Sequence, residues 1–130
     1  MRTAQTVALT IVRLTGIFQV AVGLALWFGY GYQLLQVHMG VGLAFVVAMW
    51  VLAALSFPTH GARVLALLVA GWGALVLALG IGQMRLLIGP FHWVVEGAHF
   101  LVGFIGMVLA VRLGNRLRKG HAPAYARTSP

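Results

Sequence analysis

The sequence contains no cysteine. This absence excludes a disulfide framework, a thiolate-ligated zinc or iron–sulfur site, and a thioether-attached c-type haem. Any metal held by this chain would therefore have nitrogen, oxygen or methionine-sulfur ligands.

Acidic residues are almost absent, and charge of either sign is scarce. Charged residues make up 8% of the chain, against about 25% in a soluble domain. Hydrophobic residues make up 62%, against about 45–50%. This composition excludes an ordinary soluble fold. The single acidic residue, Glu96, also excludes a di-iron carboxylate site, which needs several carboxylates.

The formal net charge is +8, a value that would suit a nucleic-acid-binding protein. The basic residues are instead scattered between apolar runs and concentrate near the C-terminus, without forming one polar face. We therefore predict no nucleic-acid partner and interpret the basic residues as markers of membrane topology.

Four apolar runs are long enough to cross a bilayer, which takes about 20 helical residues. The predicted spans cover residues 7–29, 34–57, 64–87 and 91–113. Because the links are short, consecutive helices are predicted to be antiparallel neighbours. We expect an all-α, integral membrane four-helix bundle. Residues 114–130, which lack apolar periodicity, are predicted to form a basic tail that is extended or docked on a partner.

The distribution of Lys and Arg predicts the orientation of the spans. Basic residues lie near the N-terminus, in the second link and near the C-terminus, whereas only Arg85 lies near the other side. Both termini are therefore predicted to be cytoplasmic, in a bacterial inner membrane. Arg13 lies inside the first span, where we expect its side chain to snorkel towards the interface.

The second and fourth spans share a pattern around a histidine. Residues 38–43 align with residues 99–104, with His, Val and Gly in register, and glycines at 16 and 23 are echoed at 73 and 80. This pattern predicts two repeated helical hairpins related by a pseudo-two-fold axis along the membrane normal. His38 and His99 would then lie at comparable depth on facing helices.

Ionisable residues inside a membrane are costly and are functional candidates by default. A neutral imidazole from each of two facing helices would give the bis-histidine ligation of haem iron that suits electron transfer. Gly42 and Gly103 follow the histidines by one turn and would let a flat macrocycle approach; the glycine pairs of the flanking helices are candidates for the same role. The alternatives are an interhelical hydrogen bond for each histidine and ordinary helix packing for each glycine.

The fourth span carries a polar stripe. His92, Glu96 and His99 lie within about 60° of one helix face. Glu96 is predicted to support a ligand histidine, to accept protons beside a quinol or haem edge, or to bind a non-haem metal. A copper or zinc site made by these three residues with His38 is an alternative.

Arg85 is a candidate partner for a haem propionate, or an interfacial anchor. His60 and His121 are expected to be solvated, without a special role.

The two embedded histidines, His38 and His99, with their neighbouring glycines, give residues 7–113 an architecture that resembles the small b-type cytochromes of membranes. Examples are the cytochrome b561 class and the haem-bearing anchors of respiratory enzymes. The resemblance implies a non-covalent haem b with these histidines as axial ligands, and electron exchange with a quinone, a periplasmic partner or a neighbouring subunit. The cytochrome b561 class typically has four intramembrane histidines and two haems, whereas this chain has no histidine pair on its inner side, so one haem is expected.

Three other hypotheses of function remain open. The histidines could ligate the magnesium of a chlorophyll-type pigment in a photosynthetic accessory subunit. The chain could be a cofactor-free scaffold subunit of a larger membrane complex, or a homo-oligomer. A small transporter is less favoured, because no span is broken and no polar path crosses the inner half. An electron carrier or an oxidoreductase subunit is favoured over an enzyme that acts by itself.

Overall fold

The computed structural model describes residues 2–120 of the chain. These residues form four long helices and no strand: α1 (Arg2–Trp27), α2 (Leu35–Ser56), α3 (Arg63–Gly82) and α4 (His92–Gly120). Each is long and apolar enough to cross a membrane. The predicted all-α class with four spans is confirmed, and length and hydropathy indicate an integral membrane protein. Residues 121–130, including His121, lie outside the described residues.

The four helices pack in a ring. Each helix contacts its two neighbours, in the order α1, α2, α3, α4 and back to α1. α2 and α4 also touch across the centre, whereas α1 and α3 share no contact within the described residues. The cross-section is therefore a flattened rhombus, and the two histidine-bearing helices lie on its short diagonal.

The bundle has two unlike ends. At the terminal end lie the start of α1, the turn between α2 and α3, and the end of α4; at the histidine end lie the α1–α2 and α3–α4 links. The contiguous core belongs to the terminal half and includes Val12, Met49, Leu52, Val69 and Leu113. In the histidine half of the helices (residues 20–27, 35–44, 77–82 and 92–103), Val22 and Val95 are the only buried residues. Fully buried side chains are therefore concentrated in the terminal half of the bundle, and Leu77 and Val102 of the histidine half pack against that core.

The third helix is shorter than predicted. α3 ends at Gly82 and is followed by a 3-10 helix, Gln83–Arg85, so the span predicted to reach about Leu87 is helical only as far as Arg85. The Leu86 amide donates to the Gln83 carbonyl at 3.2 Å, and Leu86 then adopts an extended conformation. Leu87 is left-handed (φ 45°), which a helix cannot continue. The apolar run misled the prediction because it continues into an exposed link.

The fourth helix is longer than predicted. It continues to Gly120, so the prediction that the chain leaves the helix at residue 114 is wrong over residues 114–120. Leu113 and Leu117 are buried one turn apart on the same face. Between them, Gly114 lies so close to Leu9 of α1 that a Cβ would come within 2.6 Å of the Leu9 side chain. Contacts with α1 therefore stabilise a segment whose composition is polar.

Candidate functional site

His38 and His99 meet at the centre of the histidine half. Their ring centroids are 6.4 Å apart and their ring planes are inclined by 67°. His38 lies on α2 and His99 on α4, the two helices of the short diagonal, and each histidine is half-buried. The structure thus brings together the two residues that the sequence singles out.

Each imidazole lies against a glycine of the preceding helix. A Cβ on Gly23 of α1 would lie 3.5 Å from Cε1 of His38, and a Cβ on Gly80 of α3 would lie 3.3 Å from Cε1 of His99. A larger side chain at either position would occupy the space of the ring. The flanking-helix glycines therefore form the immediate walls of the histidine pair.

Contacts of the first hairpin recur at equivalent positions of the second. Gly23 faces His38 as Gly80 faces His99. Likewise, a Cβ on Gly16 of α1 would touch Met107 of α4, and a Cβ on Gly73 of α3 would touch Val46 of α2. Val46 and Met107 each follow the histidine of their own helix by eight residues. These contacts lie at equivalent positions of the two predicted hairpins, although the atom nearest to a Cβ on Gly73 belongs to Trp50, at 2.9 Å.

Three buried polar atoms near the centre lack hydrogen-bond partners. They are Nδ1 of His38, Nδ1 of His99 and Oε1 of Gln19, and the described residues contain no other side-chain atom of this kind. A buried polar atom left unpaired costs roughly 1–3 kcal/mol. Finding both imidazoles in this condition is what a site built for a ligand outside the chain would show.

Gln19 is a site residue that the sequence analysis missed. Its amide, on α1, donates from Nε2 to the His38 carbonyl at 2.9 Å. The amide lies over Gly42, where a Cβ would come within 2.6 Å of Nε2. Its position in the sequence could have marked it as a site residue, because Gln19 is an uncharged polar residue near the middle of a predicted span.

The two glycines predicted to approach a macrocycle have different surroundings. The Gln19 amide covers Gly42, whereas a Cβ on Gly103 would meet no atom within 4 Å. Gly42 thus serves the hydrogen bond of Gln19 to α2. The glycines in contact with the imidazoles are Gly23 and Gly80.

This difference predicts opposite effects of the same substitution at Gly42 and Gly103. We expect Gly42→Ala to lower the free energy of unfolding by about 1–2 kcal/mol, because it displaces a buried amide. Gly103→Ala should be neutral or stabilising by up to about 1 kcal/mol, the gain in helix propensity. Denaturant unfolding of the purified protein in detergent measures both. Equal effects at the two positions, or an undiminished penalty for Gly42→Ala in a Gln19→Ala background, would contradict the assignment.

His92 and Glu96 form a pair at the mouth of the histidine end. Nδ1 of His92 lies 3.1 Å from the Leu86 carbonyl, and Nε2 lies 3.9 Å from Oε1 of Glu96. The two side chains are 29% and 42% exposed, so this pair is accessible from outside the bundle. Arg85, in the adjoining 3-10 helix, is also exposed.

The remaining candidates are dispersed. Within the described residues, no three potential ligands of the His, Asp or Glu type lie close enough together to hold a metal ion. His38, His92, Glu96 and His99 are therefore not gathered into one cluster. His60 is exposed in the turn between α2 and α3, at the terminal end.

Comparisons of the chain with protein-family models, curated proteins and solved structures found no match. Function is therefore inferred from the chemistry of the histidine pair. The pair brings two imidazoles from opposite helices together in an apolar bundle, and a glycine of the preceding helix lies against each ring.

Proposed function

We propose that this protein is a membrane electron-transfer protein that binds one haem b through His38 and His99. The observation that carries the proposal is the separation of the two rings. Two imidazoles that bind one metal from opposite sides, at about 2.0–2.1 Å, have ring centroids about 6 Å apart. The observed separation is 6.4 Å. A porphyrin would supply the remaining nitrogen ligands of such a metal.

The packing of the bundle supports the same proposal. The histidine half buries only Val22 and Val95 among its described residues, while the terminal half is closely packed. Gly23 and Gly80 leave the rings without bulky neighbours on α1 and α3. A flat apolar group would gain contacts in this half that the chain does not make for itself.

The chemistry follows from the ligand set. When bound, haem supplies one-electron redox chemistry at its iron. His38 and His99 would both hold the iron, and ligation by two protein side chains favours electron transfer over binding of oxygen. Gln19 would help to hold the ligand-bearing part of α2 through its bond to the His38 carbonyl.

The proposal also includes an internal repeat and an orientation of the bundle in the membrane. The equivalent contacts of the two hairpins support an internal repeat with a pseudo-two-fold axis along the membrane normal. Arg63, Arg112, Arg116 and Arg118 lie at the terminal end, against Arg85 at the histidine end. By the positive-inside rule this distribution supports cytoplasmic termini, with the haem in the outer half of a bacterial inner membrane.

Redox partners would meet the protein at the histidine end. The exposed pair His92 and Glu96 is suited to accept a proton from a quinol or to contact a periplasmic electron partner. Arg85 could pair with a haem propionate near the interface. The many exposed apolar side chains of the four spans also leave room for further membrane subunits or a second copy of the chain.

A visible spectrum of the protein purified from membranes, reduced with dithionite minus oxidised, tests the proposal. We expect a sharp α-band, a shifted Soret band and one extractable haem b per chain. A chlorophyll-type pigment in the extract would contradict haem binding and support the pigment-binding alternative. A featureless spectrum that persists after haemin is added would leave a cofactor-free scaffold subunit as the function.

A further inference from the structure

His92 and Glu96 lie one helical turn apart at the start of α4. Residues at this spacing are neighbours on a helix surface. Nε2 of His92 lies 3.9 Å from Oε1 of Glu96, which is too long for a hydrogen bond. Both side chains are partly exposed. A small ion from outside the bundle can therefore reach the space between the two atoms.

The α3–α4 link fixes the tautomer of the His92 ring. Nδ1 of His92 lies 3.1 Å from the Leu86 carbonyl, which can only accept a hydrogen bond, so Nδ1 is the donor. In the neutral imidazole the lone pair is then on Nε2, the atom nearer to Glu96. The link turns back over the start of α4, because the His92 amide donates to the Gly89 carbonyl at 3.0 Å. A histidine that binds a metal commonly donates its other ring nitrogen to a backbone carbonyl in this way.

The separation of the two atoms is close to that of two ligands of one zinc ion. In a tetrahedral zinc site the nitrogen and oxygen ligands are about 3.4 Å apart. The partly exposed Glu96 side chain can close the difference of about 0.5 Å by rotating. Within residues 2–120, no third His, Asp or Glu lies close enough to complete a cluster. Water would therefore fill the other positions, and we expect a modest affinity.

We propose that His92 and Glu96 bind a divalent transition-metal ion of the zinc class at the mouth of the histidine end. Nε2 of His92 and the Glu96 carboxylate would be its protein ligands, and the Leu86 carbonyl would hold the His92 ring in place. An imidazole with a carboxylate suits zinc, whereas Mg²⁺ prefers oxygen ligands alone. The inference is independent of haem binding. While bound, the metal would occupy the two side chains proposed above to accept a proton.

Calorimetric titration of the full chain in detergent with Zn²⁺ tests the site. We expect His92→Gln and Glu96→Gln each to weaken zinc binding about tenfold or more, because each removes one of two protein ligands. Glu96→His should keep the affinity within about threefold, because imidazole also binds zinc and the spacing keeps it beside His92. His60→Gln is the matched control. It removes an exposed histidine from the α2–α3 turn and should change the affinity less than about twofold.

Three results would overturn the proposal. Equal losses for His60→Gln and His92→Gln would mean diffuse binding to exposed histidines. Displacement of zinc by millimolar Mg²⁺ would mean that a carboxylate alone attracts the cation. Unchanged affinity in both His92→Gln and Glu96→Gln would remove the pair as ligands.

Two features of this experiment keep its outcome clear. Glu96→Gln preserves the shape of a partly exposed side chain, so it tests the site even if His92→Gln disturbs the α3–α4 link. The titration needs no haem, so zinc binding and the visible spectrum succeed or fail separately. Loss of zinc binding in His38→Ala and His99→Ala, with His92→Gln unaffected, would place the metal at the centre of the bundle and contradict the proposal.

Discussion

Replacing His38 or His99 by Ala is expected to abolish low-spin haem binding, while the four-helix protein should still insert into the membrane. Each imidazole would supply one protein ligand to the haem, and the other described histidines, His60 and His92, lie in the α2–α3 turn and at the mouth of the histidine end. Folding should survive, because each substitution removes a buried Nδ1 that has no partner in the chain. The reduced-minus-oxidised spectrum of each purified variant measures the effect.

The other histidines provide the controls for this experiment. His60→Ala changes an exposed residue of the α2–α3 turn, and His92→Ala changes a residue at the mouth of the histidine end. Both variants should keep the α-band and the full haem content. Low-spin spectra that persist in both His38→Ala and His99→Ala would refute the ligand assignment.

Filling the glycine walls should also expel the haem. We expect Gly23→Leu and Gly80→Leu to lower haem occupancy more than tenfold, because the new side chain takes the space of the adjacent imidazole. The loss of haem occupancy should increase with the size of the introduced side chain. Gly23→Ala places its Cβ 3.5 Å from the His38 ring and is tolerated, whereas Gly80→Ala places it 3.3 Å from the His99 ring and weakens binding slightly. Haem titration of the apo variants measures the series.

Gly71→Leu is the matched control for these variants. Gly71 lies on the same helix as Gly80, is exposed, and a Cβ there would meet no atom within 4 Å. Its substitution should leave haem affinity unchanged. Equal losses for Gly71→Leu and Gly80→Leu would show a general effect of bulk in α3, and unchanged affinity in Gly23→Leu and Gly80→Leu would remove these glycines from the site.

Some features of the site could be read from the sequence and others could not. His38 and His99 stand out because ionisable residues are rare in apolar spans, so their rarity alone marks them. The role of Gly42 could not be read in this way. Glycine gives no signal of what covers it, and here the cover is the Gln19 amide from a different helix.

The ends of α3 and α4 are further features that the sequence alone did not predict. The end of α3 at Gly82 was missed because Leu86 and Leu87 continue the apolar composition after the helical hydrogen bonds stop. The end of α4 was missed because polar residues surround Leu117, whose burial depends on packing against the rest of the bundle. The composition of a segment indicates whether it prefers the membrane. It does not indicate which backbone hydrogen bonds persist where the segment leaves the membrane.

The sequence by itself determined four helices apolar enough to cross a membrane, their antiparallel order, the excess of arginine at one end and the presence of two histidines within apolar runs. Each of these follows from sums over local residues or from the lengths of short links. The tertiary structure alone decided that α2 and α4 form the short diagonal, that Gly23 and Gly80 lie against the imidazoles, and that fully buried side chains are concentrated in the terminal half. Both halves are apolar, so hydropathy cannot distinguish them. The difference arises from the rotation and register of each helix, which are set by contacts between side chains distant in the sequence.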